Sequence, residues 1–148
     1  MLYLFMGPSC TGKTYIADQI VDQKSIEVVT GKDYQRLAKN ENIAWKLFMK
    51  QMKEAQESTD KDMIYVLTEI DKLSELETLN QAQKVRFDAE ENVIFQRFSQ
   101  RMGRELPPPL EQMLRRQIDG WRQIDSDLVV HTAEEKNWVD VILKLNEK

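Results

Sequence analysis

The residues best suited to chemistry form one short segment, Gly7-Pro8-Ser9-Cys10-Thr11-Gly12-Lys13-Thr14. Its spacing matches G-x-x-x-x-G-K-[ST], in which glycines allow the backbone to approach an anion and successive N–H groups form a binding nest. Lys13 would reach the terminal phosphates of a nucleoside triphosphate, and the hydroxyl of Thr14 would bind Mg²⁺. All eight residues are therefore predicted to bind nucleotide, and this segment is called the P-loop below.

The segments on either side of the P-loop are those that the motif requires. Leu2–Met6 is a short apolar run typical of a buried strand, and Ile16, Ala17 and Ile20 recur at helical spacing. A loop between a strand and the N-terminus of a helix gains the positive end of the helix dipole. An ordinary glycine turn before a lysine, the alternative, would require neither the strand nor the helix.

Two acidic residues follow the third apolar run of the chain. Residues 63–67 indicate a strand, and Glu69 and Asp71 come directly after it. A carboxylate at this position could hold the Mg²⁺ shell or orient a nucleophile. The alternative is that both acids cap the helix that follows, where negative charge is favoured. As a working assignment, Asp71 joins Thr14 as a metal ligand and Glu69 contacts the substrate.

Three arginines follow the fourth predicted strand at spacings of four and then three residues. This spacing would place Arg97, Arg101 and Arg104 on one face of a helix. Phosphoryl transfer spreads negative charge over equatorial oxygens, and arginines on a mobile lid can stabilise that charge. We therefore predict that these arginines and Lys13 are catalytic. The alternative is a solvated helix face whose arginines pair with neighbouring glutamates.

A polar turn follows the second predicted strand. It contains Asp33, which could accept a hydroxyl proton, and Tyr34, which could bind phosphate together with Lys32. The carboxyl ends of strands in an open α/β sheet form the edge where ligands bind, so Asp33 and Tyr34 are predicted to contact a second substrate. Ordinary turn chemistry explains the same composition equally well.

Strand and helix patterns alternate along the whole chain. The strands after Leu2–Met6 are predicted at residues 25–30, 63–67, 84–89 and 127–131. Such alternation predicts an α/β fold with a parallel sheet covered by helices on both faces. One predicted helix presents a single face formed by Leu110, Leu114, Gln117, Trp121 and Ile124. The last helix is predicted to begin with a capping box of Thr132 and Glu135.

Composition limits the classes of function. The chain has 148 residues, of which 41% are hydrophobic and 31% charged, and no composition shift divides it, so residues 1–148 are predicted to form one domain. A formal net charge of −4 argues against broad nucleic-acid binding. One cysteine excludes an internal disulfide, and no apolar stretch approaches the ~20 residues of a membrane span. We therefore expect a cytoplasmic protein without a membrane segment.

Together these motifs resemble the nucleoside and nucleotide kinases of the P-loop superfamily, most nearly guanylate kinase. The segments that carry the resemblance are Gly7-Pro8-Ser9 with Gly12-Lys13-Thr14, Lys32-Asp33-Tyr34, Glu69-Ile70-Asp71 and Arg97 to Arg104. The resemblance implies a three-layer α/β/α P-loop NTPase fold with a five-stranded parallel sheet in the order 2-3-1-4-5. ATP would lie on the P-loop with its base near residues 132–136, residues 34–61 would form a helical acceptor-binding region, and residues 97–109 would form a lid.

The resemblance implies an ATP-dependent phosphotransferase that uses Mg²⁺. Its acceptor would be a nucleoside monophosphate or another small molecule. The chain lacks the Thr-Arg-x-Pro-Arg stretch of guanylate kinase, and its helical acceptor region is similar to those of shikimate, gluconate and adenylate kinases. The alternative function is a P-loop NTPase or regulatory nucleotide-binding module without kinase activity.

Overall fold

Five short strands form one all-parallel sheet in the computed structural model of the protein, which describes residues 1–146. The strands are β1 (Leu2–Met6), β2 (Glu27–Thr30), β3 (Met63–Leu67), β4 (Gln83–Asp88) and β5 (Leu128–His131). Their order across the sheet is β2-β3-β1-β4-β5, so the predicted order is confirmed. β1 lies between β3 and β4, and all of its residues are buried, as its apolar run predicts.

Within residues 1–146, five α-helices connect and cover the strands. They are α1 (Lys13–Gln23), α2 (Glu41–Glu57), α3 (Glu91–Met102), α4 (Pro108–Arg122) and α5 (Trp138–Leu143). Short 3₁₀ helices span Asp33–Leu37, Ile70–Leu76 and Lys144–Asn146. No helix in this part of the chain combines the length and the apolar character that crossing a bilayer would require.

Two hydrophobic clusters hold the layers together. Leu4 and Met6 of β1 face a cluster that includes residues of α2 and α4, whereas Tyr3 and Phe5 face a cluster built on α1 and α5. Side chains of a strand point alternately to opposite faces, so each face of the sheet receives its own apolar set. The predicted three-layer α/β/α fold is confirmed, and this packing fixes the carboxyl ends of the strands.

The start of the last helix differs from the prediction. α5 begins at Trp138, and the side chain of Asn137 accepts a backbone N–H from its first turn. The predicted capping box of Thr132 and Glu135 is therefore wrong. The physical reason is a tertiary contact, because the Thr132 hydroxyl donates to the carbonyl oxygen of Thr11 at 3.0 Å instead of serving a helix.

Candidate functional site

The P-loop connects the end of β1 to the N-terminus of α1, at the carboxyl edge of the sheet. Gly7 has a φ of +148° and Gly12 a φ of +89°, backbone conformations that favour glycine. A Cβ atom on Gly7 would lie 2.4 Å from the carbonyl oxygen of Phe87, so β4 packs directly against the loop. The geometry of the loop therefore requires a glycine at position 7.

Lys13 is buried beneath the P-loop, with only 5% of its surface exposed. Its Nζ atom donates to the carbonyl oxygens of Gly7 at 2.7 Å and Pro8 at 2.5 Å. Burial lowers the pKa of Lys13 to about 7, an effect that Cys10 opposes and the Arg101 guanidinium strengthens. The amine that the motif assigns to the phosphates is thus anchored within the loop itself.

The lowered pKa of Lys13 predicts that nucleotide binding is coupled to proton uptake. Phosphates favour the charged ammonium, so above pH ~7 binding takes up a proton and ATP affinity falls as the pH rises, whereas below that pH the affinity is level. Calorimetry of ATP binding at about pH 8, in buffers that differ in ionisation enthalpy, measures this uptake. Lys13→Met should flatten the pH dependence, and an ATP affinity of the unsubstituted protein that does not change above pH ~7 would contradict the shift.

Cys10 adopts a left-handed backbone conformation at the centre of the P-loop, with a φ of +63°. It is the one residue other than glycine within residues 1–146 that has a positive φ. This conformation costs a residue with a side chain about 1 kcal/mol or more relative to glycine. The P-loop therefore holds backbone strain at Cys10.

The arginines of α3 border a cavity of about 570 Å³ above the P-loop. Arg97 and Arg101 both line it, together with Cys10, Gly12 and Thr132. The Nη1 atom of Arg97 donates to the carbonyl oxygen of Cys10 at 3.0 Å. The structure therefore brings two of the three predicted arginines to the P-loop.

Arg104, in contrast, does not line this cavity. α3 ends at Met102, Gly103 takes a left-handed φ of +71°, and Arg104 follows as an exposed residue of the loop. The prediction that all three arginines share one helical face is thus wrong for Arg104, because Gly103 ends the helix before it. Among residues 1–146, none of the three arginines forms an ion pair. The neighbouring Glu91 pairs instead with Arg115 of α4.

A second cavity, of about 310 Å³, lies between the carboxyl ends of β2 and β3. Tyr34, Glu69 and Asp71 line it, whereas the predicted substrate residue Asp33 is exposed outside this lining. Burial raises the pKa of Tyr34 and of Tyr65, so both hydroxyls stay protonated. The two rings form aromatic walls of the cavity.

Glu69 and Asp71 have no hydrogen-bond or ion-pair partner within the described part of the chain. Glu69 is the residue before the 3₁₀ helix Ile70–Leu76, yet its side chain makes no capping bond. This observation disfavours the capping alternative for Glu69. Both carboxylates also line a third cavity of about 250 Å³, whose other wall includes Arg116 and Gln117 of α4.

Gln117 links this third cavity to the P-loop. Its Oε1 atom accepts the backbone N–H of Ser9 at 3.3 Å, across 108 positions of sequence. The sequence placed Gln117 among the apolar residues of one helix face but assigned it no role. A single amide within that apolar stripe was the signal available in the sequence.

Asp88 was not singled out from the sequence either, although it ends β4 beside the loop. It is buried and pairs with Arg122 of α4 at 3.3 Å and with Arg86 at 3.7 Å. Arg122 also donates to the carbonyl oxygen of Ala89 at 3.2 Å. These contacts join the end of β4 to the end of α4. Because Phe87 of β4 packs against Gly7, they also support the P-loop.

A further cavity of about 570 Å³ lies at the opposite edge of the sheet, where β2 and β3 begin. Four acidic residues line it, and one of them, Asp62, is paired with Lys24 at 2.5 Å and with the amino group of Met1 at 3.3 Å. These pairs hold the start of β1 in place, and two protein cations balance the charge of the Asp62 carboxylate. No residue of the P-loop lines this cavity, so the cavities at the carboxyl edge of the sheet are the candidate site.

No protein-family model and no curated protein matches the chain. Solved structures do match, among them a sugar kinase from a Janibacter species, with 17% identity, a TM-score of 0.64, and coverage of 97% of this chain and 92% of that one. A shikimate kinase from Acinetobacter baumannii, in complex with shikimate, has 16% identity and a TM-score of 0.61, with 97% and 91% coverage.

A gluconokinase from Sinorhizobium meliloti has 14% identity and a TM-score of 0.59, and the match covers 89% of this chain and 82% of that one. Structural matches at sequence identities this low show a shared fold and no more. The resemblance to P-loop kinases is therefore confirmed at the level of the fold, and the guanylate kinase-like subtype stays a prediction.

Proposed function

We propose that the protein is an ATP-dependent kinase that transfers the γ-phosphate to a small acceptor. The observation that carries this proposal is the pair of cavities at one edge of the sheet, one above the P-loop and one lined by Glu69 and Asp71. Gln117 borders the second and accepts the N–H of Ser9 in the P-loop. A module that only binds nucleotide needs no second cavity linked to the P-loop.

The donor side supplies positive charge where phosphoryl transfer develops negative charge. Lys13 lies within the loop, and Arg97 and Arg101 line the cavity above it with no carboxylate partner among residues 1–146. Phosphoryl transfer asks little covalent chemistry of a protein, so positioning and electrostatic stabilisation account for most of the catalysis. These three cations are the proposed catalytic residues, and Arg104 would join them only if its loop closed over the cavity.

Two side chains at the carboxyl edge of the sheet offer the oxygen atoms that Mg²⁺ prefers as ligands. The Thr14 hydroxyl is exposed at the first turn of α1 and has no partner within residues 1–146, and Asp71 is likewise unpaired. The described residues contain no group of three or more His, Cys, Asp or Glu that could hold a metal alone, which suits an ion that also binds phosphate oxygens and water. Thr14 and Asp71 are the proposed ligands, and Mg²⁺ bound there would neutralise phosphate charge.

The acceptor would occupy the cavities between the 34–61 region and α4. Glu69 would accept hydrogen bonds from acceptor hydroxyls, and the exposed Asp33 would contact the acceptor at the mouth. Lys32 and Lys72, or Arg116 from α4, could pair with an anionic group such as the phosphate of a nucleoside monophosphate. The fold shared with a sugar kinase, a shikimate kinase and a gluconokinase supports a small hydroxylated acceptor.

Formation of ADP from MgATP, measured with and without candidate acceptors, tests the proposal. The panel comprises nucleoside monophosphates, nucleosides, shikimate, gluconate and simple sugars. We expect one class to raise the rate of ADP formation well above basal hydrolysis. If ATP binds but no acceptor raises the rate, the alternative of an NTPase or regulatory module is favoured.

Arg101 and Arg104 form a matched pair for testing the lid. Arg101→Ala should lower turnover by about a hundredfold, because it removes a guanidinium from the cavity above the P-loop. Arg104→Ala removes the same group from the exposed loop beyond Gly103 and should change turnover by about threefold at most. Steady-state kinetics of the two variants measures both effects, and equal losses would contradict the assignment.

A further inference from the structure

Tyr15 stands out among the aromatic residues because its ring faces water. Of the three tryptophans, four tyrosines and five phenylalanines, all within residues 1–146, Tyr15 alone is exposed, at 66%. Its ring makes no aromatic or cation contact, and its hydroxyl has no partner in the part of the chain that the structure describes. Folding therefore gains little from this ring, although burial of an aromatic side chain is strongly favourable elsewhere in the molecule.

Tyr15 directly follows Thr14 and stands where two cavities adjoin. The first is the cavity of about 570 Å³ above the P-loop, which Tyr15 lines together with Arg97 and Thr132. The second, of about 280 Å³, continues towards the turn before α5 and is lined by Tyr15, Thr132, Glu134 and others. Because both cavities include Tyr15 and Thr132, they form one path that leads away from the phosphate-binding loop.

The polar wall of this path is held in place by the P-loop. Arg97 donates to the carbonyl oxygen of Cys10 at 3.0 Å and reaches the Thr132 hydroxyl at 3.5 Å. Thr132 in turn donates to the carbonyl oxygen of Thr11 at 3.0 Å. A free aromatic face and a fixed guanidinium that line one cavity suit a flat π-system, which can stack on either group.

We propose that Tyr15 is the stacking platform for the base of the bound nucleoside triphosphate. This inference rests on the proposed function in one respect, nucleotide binding by the P-loop, and it assigns the residue that recognises the base. Tyr15 follows the loop by one position, so a nucleotide whose phosphates lie on the loop would have its base within this path. The function of the ring is to add affinity for the base, independently of the phosphates.

Calorimetric binding of two ligands, MgATP and magnesium tripolyphosphate, separates the base from the phosphates. The unsubstituted protein should bind ATP more tightly than tripolyphosphate. Tyr15→Ala should weaken ATP binding by about tenfold or more and leave tripolyphosphate binding unchanged, whereas Tyr15→Phe should retain ATP affinity. Val21→Ala, which trims another exposed apolar residue of α1, is the matched control and should alter neither ligand.

The outcomes distinguish the failure of this inference from that of the proposed function. Unchanged ATP affinity in Tyr15→Ala would overturn the stacking role, and so would an equal loss for both ligands, which would indicate support of the loop. If the unsubstituted protein binds neither ligand, nucleotide binding itself fails and the stacking role with it. Thermal melting of each variant shows that the fold is retained, as expected for a side chain that is exposed.

Discussion

Lys13→Met is expected to lower the rate of ATP turnover by about a thousandfold or more. Lys13 is the buried cation of the P-loop, and its Nζ lies 2.7 Å from the carbonyl oxygen of Gly7. Methionine keeps much of the volume of the side chain but supplies no charge to the terminal phosphates. The measurement is kcat and kcat/KM for ADP formation with the best acceptor.

Lys24→Met is the matched control for this substitution. Lys24 follows α1 and pairs with Asp62 at the far edge of the sheet, where it is 42% exposed. Losing one partly exposed ion pair costs little stability, so turnover should stay within about twofold. If Lys13→Met were folded and as active as the unsubstituted protein, the P-loop would not be the catalytic site.

Gly7→Ala is expected to be the most damaging small substitution in the loop. Its Cβ atom would lie 2.4 Å from the carbonyl oxygen of Phe87 in β4, and its φ of +148° is strained for alanine. Because the clash is with backbone, β4 and the loop must separate, at a cost of roughly 3 kcal/mol or more of unfolding free energy. Urea unfolding measures this loss, and ATP binding should be lost with it.

Gly31→Ala isolates the contribution of backbone strain. Gly31 also has a positive φ, +55°, but a Cβ atom there would meet no atom within 4 Å. This variant should lose only about 1 kcal/mol, and its ATP binding should be retained. If Gly7→Ala and Gly31→Ala lost equal amounts of unfolding free energy, the close approach of β4 to Gly7 would make no contribution to stability.

The parts of the fold that the sequence predicts are those set by local pattern. Leu2–Met6 is apolar throughout because it is covered on both faces, and the motif that follows it places Gly7 and Lys13 without knowledge of the rest of the chain. The parallel sheet follows from alternation of strands and helices. These features require no information about contacts between distant residues.

The failed capping box and the overlooked role of Gln117 depend on such contacts. The Thr132 hydroxyl serves the carbonyl oxygen of Thr11, which is 121 positions away, so the local capping pattern was overridden. The failure at Arg104 has a local cause instead, because the adjacent Gly103 ends α3, whereas the spacing of the arginines alone predicted that the helix continues to Arg104. Gln117 belongs to the candidate site because its side chain accepts one hydrogen bond from the backbone N–H of Ser9. This contact exists only because α4 packs against the loop.

The fate of the γ-phosphate distinguishes a kinase from a nucleotide hydrolase. The protein is incubated with Mg²⁺, an acceptor and ATP radiolabelled at the γ-position, and the products are separated. If the protein is a kinase, the label appears in an organic phosphate ester in amounts equal to the ADP formed above basal hydrolysis, and Lys13→Met forms this ester more slowly by about a thousandfold or more. Label found entirely as inorganic phosphate with every acceptor would contradict a kinase and leave a nucleotide hydrolase.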